Sequence, residues 1–87
     1  MQPYGVFHTE LQDLNDSLQA VGSWFNSGER ACLVEPGVGT IDLNTVTEDI
    51  PDGWRLERAY AINSRGDIAG FASFGSDTRA FLLIRLD

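Results

Sequence analysis

Apolar positions recur along this chain in short alternating runs, broken by glycine and small polar residues. In the second half, Trp54, Leu56, Tyr60 and Ile62 share one phase of a period-two pattern, with Arg58 as the exception. That alternation predicts a half-buried strand. Asn63-Ser64-Arg65-Gly66 has turn chemistry, because asparagine bonds to its own backbone and glycine accepts a left-handed conformation. Asp67 to Phe74 then predicts the returning strand of a hairpin, and Gly75-Ser76-Asp77-Thr78 a second turn. Arg79 to Leu86 carries the run Ala80-Phe81-Leu82-Leu83-Ile84, which predicts a strand buried on both faces.

The first half supports two readings between Thr9 and Val21. Thr9 with Gln12 makes a capping box, and Leu11, Leu14, Leu18 and Val21 fall at helical spacing before Gly22. Taken locally, that predicts a short helix. A longer-range pattern argues for strand–turn–strand. Leu14-Asn15-Asp16-Ser17-Leu18-Gln19-Ala20-Val21-Gly22 lies over Ile62-Asn63-Ser64-Arg65-Gly66-Asp67-Ile68-Ala69-Gly70 at an offset of 48 residues. The same shift lays Pro3 on Pro51 and Gly5 on Gly53, and one further residue brings Arg30-Ala31-Cys32-Leu33-Val34 onto Arg79-Ala80-Phe81-Leu82-Leu83. The aligned second segment reads as a hairpin, so a hairpin is expected in the first. Gly22–Phe25, a turn at Asn26-Ser27-Gly28, a strand at Arg30–Glu35, a Pro36-Gly37 turn and a strand at Gly39–Leu43 complete the first half.

A unit of this length is that of a propeller blade or solenoid repeat, and one unit cannot bury its apolar face alone. The expected fold is all-β: one domain over residues 1–87, built from two propeller-blade-like antiparallel meanders with about seven strands. The first unit runs over 3–50 and the second over 51–87. The second has no counterpart of Pro36 to Asn44.

These residues resemble the HAF repeat family, tandem β repeats of predicted secreted bacterial proteins. The resemblance rests on Ala31-Cys32-Leu33-Val34, the Pro36-Gly37 turn, Asp42-Leu43-Asn44, then Ala59-Tyr60-Ala61-Ile62-Asn63-Ser64-Arg65-Gly66-Asp67-Ile68-Ala69-Gly70 and Ala80-Phe81-Leu82-Leu83. It covers about residues 14–86. It implies a propeller-like fold and an extracellular location, and no particular activity. The chain departs from the pattern where Leu18 replaces the turn glycine, and two units are fewer than a closed propeller needs.

Charge narrows the partners. Thirteen acidic residues against six basic ones give a net charge of −7, and every basic residue is arginine. Such a chain repels phosphate backbones and anionic lipid, so neither nucleic acid nor a membrane surface is expected. The N-terminus carries no signal-peptide pattern, from which a cytoplasmic location is expected. With 87 residues and Cys32 as its single cysteine, the chain has a small core and no disulfide to staple it. Association with copies of itself is the remaining common route to stability.

Candidate chemistry is sparse. Cys32 aligns with Phe81, as a core position would, and no histidine or lysine adjoins it to activate the thiol. His8 aligns with Leu56 and has no nucleophile assigned to it by any motif. Asp16, Asp42, Glu48, Asp49 and Asp52 lack the spacing of a cation loop. Arg65-Gly66-Asp67 spells an adhesion tripeptide but fits a hairpin turn. No catalytic residue, metal site or cofactor is expected. Arg30 and Arg79 recur before equivalent strands, and with Trp24, Trp54 and Tyr60 they are the candidate ligand residues. Aromatic rings stack on sugar faces while guanidinium groups donate to hydroxyls. The expected function is a non-catalytic binding or assembly module acting as a homo-oligomer, most simply a dimer or trimer that closes a four- or six-unit ring. The alternatives are a lectin-like carbohydrate binder with sites between units and, last, a small hydrolase.

Overall fold

A computed structural model describes residues 9–25 and 28–86. Its strands are β1 (Thr9–Leu14), β2 (Ala20–Phe25), β3 (Glu29–Glu35), β4 (Gly39–Asp42), β5 (Arg55–Ile62), β6 (Ile68–Phe74) and β7 (Asp77–Leu83), with a four-residue helix, α1 (Leu43–Val46), between β4 and β5. β1 to β4 form one antiparallel meander and β5 to β7 a second. The all-β expectation holds. The two sheets pack on one another through a shared core, and the described residues form no closed ring of sheets.

Thr9–Val21 forms the expected strand–turn–strand and not the alternative short helix; the segment is β1, a turn and the start of β2. Asn15 decides it. Its side-chain Oδ1 accepts from the amides of Ser17 and Gln19, each at 3.0 Å, and its carbonyl accepts from Leu18. An asparagine that captures neighbouring amides in this way competes directly with helix hydrogen bonding. The leucines that gave the helical spacing gain nothing here: Leu11, Leu14 and Leu18 are exposed and only Val21 is buried. The short helix falls instead at Leu43–Val46, cutting the expected Gly39–Leu43 strand short. Asp42 caps it by accepting from the Asn44 amide at 2.9 Å.

The second hairpin closes with the same bonds. Asn63 Oδ1 accepts from Arg65, Gly66 and Asp67, and the Asn63 carbonyl accepts from Gly66. Gly66 has φ +98°; Leu18, at the same place in the first turn, has φ +62°. Both hairpins also carry a β-bulge one turn upstream, at Gln12 in β1 and at Tyr60 in β5. Opposite each bulge lies a glycine with no room for a side chain. A methyl at Gly22 would meet the carbonyl of Glu10, and one at Gly70 the carbonyl of Arg58.

A second bulge, at Glu57, follows from the register skip between Leu56 and Arg58. The two skips convert alternation into a three-residue spacing, so Leu56, Ala59 and Ile62 are the buried residues of β5. Tyr60 is therefore turned out of the core, against the period-two reading. The core joins these three to Ile68 and Ala72 from the second sheet and to Val21, Ala31 and Leu43 from the first, with Leu33, Trp54, Phe81 and Leu83 packed around them.

β7 differs from its expectation. It is an edge strand paired only with β6 among the described residues, and it is not buried on both faces. Phe81 and Leu83 lean on the core, while Ala80 and Leu82 face outward, Leu82 at 65% exposure and Ile84 beyond it at 51%.

Candidate functional site: the inter-sheet seam and the open edge

The two sheets meet through polar joints as well as through the core. The side-chain amide of Asn44 donates to the Leu56 carbonyl at 2.9 Å and accepts from the Leu56 amide at 2.7 Å, so it pairs with β5 as a strand residue would. Asp13 Oδ2 accepts from the Ile62 amide at 2.8 Å. That bond, helped by one from Leu14, holds the Asp13 carboxyl below its ordinary pKa. Asn15 Nδ2 donates to the Asn63 carbonyl at 3.0 Å and to Gln19 Oε1 at 2.8 Å, and Gln19 reaches on to Glu35. Glu29 pairs with Arg58 at 2.7 Å across the seam. Of these groups, Asn44 and Asp13 satisfy the Leu56 amide and carbonyl and the Ile62 amide on the edge of β5 that faces the first sheet.

The five candidate ligand residues are divided by this arrangement. Arg30 forms an ion pair with Asp42 at 2.9 Å, across from β3 to β4. Trp24 faces Arg30 in the β2–β3 register, and its indole N–H is buried with no partner among the described residues. Trp54 packs on Phe74, with ring centroids 5.6 Å apart. It lines two depressions. One, of about 320 Å³, it shares with Arg30, Asp52 and Arg55; the other, of about 470 Å³, it shares with Arg79, Ile50 and Phe81. Tyr60 belongs to neither and packs on Phe71 instead. A larger cleft of about 600 Å³ lies beside the second, where Leu43 and Val46 of α1 face Leu82 to Leu86 across a gap rimmed by Glu35, Glu48 and Arg85.

Cys32 is fully buried, and burial together with the charge of Asp42 pushes its thiol up to about 11, so it stays protonated and unreactive at neutral pH. His8 lies outside the described residues. Asp67 of the Arg65-Gly66-Asp67 turn is occupied locally: it accepts from the Arg85 amide at 3.0 Å and from the Asn63 side chain at 3.1 Å. These bonds also lower its pKa, the Arg85 amide contributing most. No three metal-ligating side chains gather among the described residues. No helix among them is long and apolar enough to cross a membrane.

Sequence reasoning missed Asp13, Glu29 and Asn44 as joint-forming residues. Asp42-Leu43-Asn44 was visible as a motif, and each of its members has a structural role. Asp42 pairs Arg30 and caps α1, Leu43 enters the core, and Asn44 ties the two sheets. No protein-family model, curated protein or solved structure matches the chain.

Proposed function

We propose that this chain is a non-catalytic binding and assembly module, made of two copies of one β unit, that associates with copies of itself. The duplicated Asn turn, the duplicated bulge and the duplicated close-packed glycine support the two-unit reading. The observation that carries the assembly reading is the open edge of β7. An edge strand presents a row of unpaired amides and carbonyls, and native proteins normally blunt or cover one. This one is lined by the exposed apolar residues Leu82 and Ile84 and has no bulge to turn it away. Of the two segments of this chain that could cover it, the Gly39–Leu43 segment, which holds β4, is already paired with β3, and Tyr4–Phe7 lies outside the described residues. Hydrogen exchange over a dilution series tests the reading. The outward amides of β7 should be protected at high protein concentration and lose protection on dilution. Protection independent of concentration would contradict self-association.

One observation favours a second reading as a carbohydrate binder. Trp54 shares a shallow polar depression with Arg30, Asp52 and Arg55, the mixture of ring face and donors that suits a pyranose. Titration of the tryptophan fluorescence with a panel of oligosaccharides tests it, and Trp54→Ala should abolish any response.

A further inference from the structure

Arg30, Arg58 and Arg65 each hold a carboxylate, Asp42, Glu29 and Asp67 in turn. Arg55 holds none among the described residues, although the chain carries thirteen acidic residues. It is half-buried, and its Nε is buried without a hydrogen-bond partner among them. A guanidinium drawn out of water is ordinarily paired or hydrogen-bonded, because leaving it alone is costly.

The surroundings of Arg55 are built by two glycines. Arg55 opens β5, and its guanidinium lies against Gly28, just before β3. A methyl on Gly28 would stand 2.7 Å from Nη1 and 3.2 Å from Cζ, so only glycine lets the group settle there. Gly53, at φ +86°, makes room in the same way for the Phe74 ring, and Trp54 packs on that ring with centroids 5.6 Å apart. The Trp54 amide donates to the Pro51 carbonyl at 3.1 Å and closes a turn that carries the exposed Asp52. Asp52, Trp54 and Arg55 thereby line the depression of about 320 Å³. Two other polar side chains of its lining are committed within the fold, Arg30 to Asp42 and Asn44 to the backbone of Leu56. The repeat does not require this set: at the offset of 48 residues Asp52, Trp54 and Arg55 lie over Tyr4, Val6 and Phe7.

We propose that this depression binds an acidic sugar, a pyranose bearing a carboxylate. The carboxylate accepts from the Arg55 guanidinium, the ring face lies on Trp54, and the hydroxyls donate to Asp52. The proposal rests on the carbohydrate reading of the Trp54 depression and names the class of sugar it takes. A neutral pyranose would leave the Arg55 charge half-buried and unpaired. A small anion without a ring would gain nothing from Trp54 and would meet the like charge of Asp52. A carboxylated pyranose satisfies all three groups at once, and a planar guanidinium matches a carboxylate in both charge and geometry.

The probes are the trisaccharides of galacturonate, glucuronate and mannuronate, each with its methyl ester, titrated against the full chain by tryptophan fluorescence and by calorimetry. The ester keeps the ring and removes the charge. At least one acid is expected to bind about tenfold more tightly than its ester, since charge-assisted hydrogen bonds are the stronger kind. Arg55→Gln should bring acid and ester level, Arg55→Lys should keep part of the gap, and Trp54→Ala should abolish binding of both. Circular dichroism checks that the Arg55 variants fold, and the comparison of acid with ester on the parent chain stands without them. Acids that bind no more tightly than their esters, or a preference that survives Arg55→Gln, overturn the proposal and leave Trp54-dependent sugar binding standing. A chain that binds none of these sugars in either form overturns the proposal, and neutral oligosaccharides that still bind would keep the carbohydrate reading.

Discussion

Asn44 bonds both backbone groups of Leu56, the amide at 2.7 Å and the carbonyl at 2.9 Å, and so acts as a one-residue strand across the gap between the sheets. Asn44→Asp keeps the shape and the acceptor but loses the donor, leaving the Leu56 carbonyl facing a carboxylate. A loss of roughly 1–3 kcal/mol is expected, the range for leaving a part-buried polar group unsatisfied. Urea unfolding measures it. A loss within error of zero would mean the sheets are held by the apolar core alone.

Gly22 and Gly70 are predicted to be equally intolerant of alanine. Each faces a backbone carbonyl across a bulge, Glu10 in one sheet and Arg58 in the other, and a carbonyl on a paired strand cannot swing aside as a side-chain tip can. Each substitution should cost roughly 1–3 kcal/mol in unfolding experiments, as overpacking does. A large cost at one site and none at the other would contradict the equivalence of the two bulges.

Leu18 sits at φ +62° and is two-thirds exposed, so it carries the strain of a left-handed turn with no packing in return. Leu18→Asn should raise stability by about 0.5–1 kcal/mol, since asparagine tolerates that conformation. Leu18→Val should lower it, because β-branching opposes the left-handed region. Thermal unfolding of both variants gives the two signs, and equal signs would argue against a strained turn.

Asp13 gives the fold an acid sensitivity. Its carboxyl titrates lower in the folded chain than the ordinary 3.8, chiefly through the Ile62 amide and then that of Leu14, with burial opposing. A lowered folded pKa means that its stabilisation is fully present above about pH 4. It is lost as the pH falls through the lower folded value. Asp13→Asn should therefore melt below the parent at neutral pH, with the gap narrowing steadily below about pH 4. A gap that stays constant into acid would show that the charge of Asp13 contributes nothing to the seam.

How far the sequence disclosed this fold depended on whether local or distant pattern governed each segment. The Asn15 and Asn63 turns were legible because asparagine and its neighbours recur at fixed offset, and that recurrence outweighed the helical spacing of Leu11, Leu14 and Leu18. The burial of Cys32 was legible from its alignment with Phe81. The bulges were not: nothing in Glu57 or Tyr60 announces a register skip, and each skip reverses which residues point inward. This is why Ala59 is buried and Tyr60 is not. Of the candidate ligand residues, Trp54 lines one depression with Arg30 and another with Arg79, while Tyr60 went elsewhere for the same reason. The joints made by Asp13 and Asn44 depend on which sheet faces which, and a residue pattern along one strand does not carry that.

The solution mass of the chain at micromolar concentration, by analytical ultracentrifugation, tests the assembly reading most directly. The account predicts a discrete oligomer of two or three chains, dissociated by Leu82→Lys or Ile84→Lys, which place charge along the open edge of β7. A chain that sediments as a monomer at every accessible concentration would contradict it. So would an oligomer that survives both substitutions.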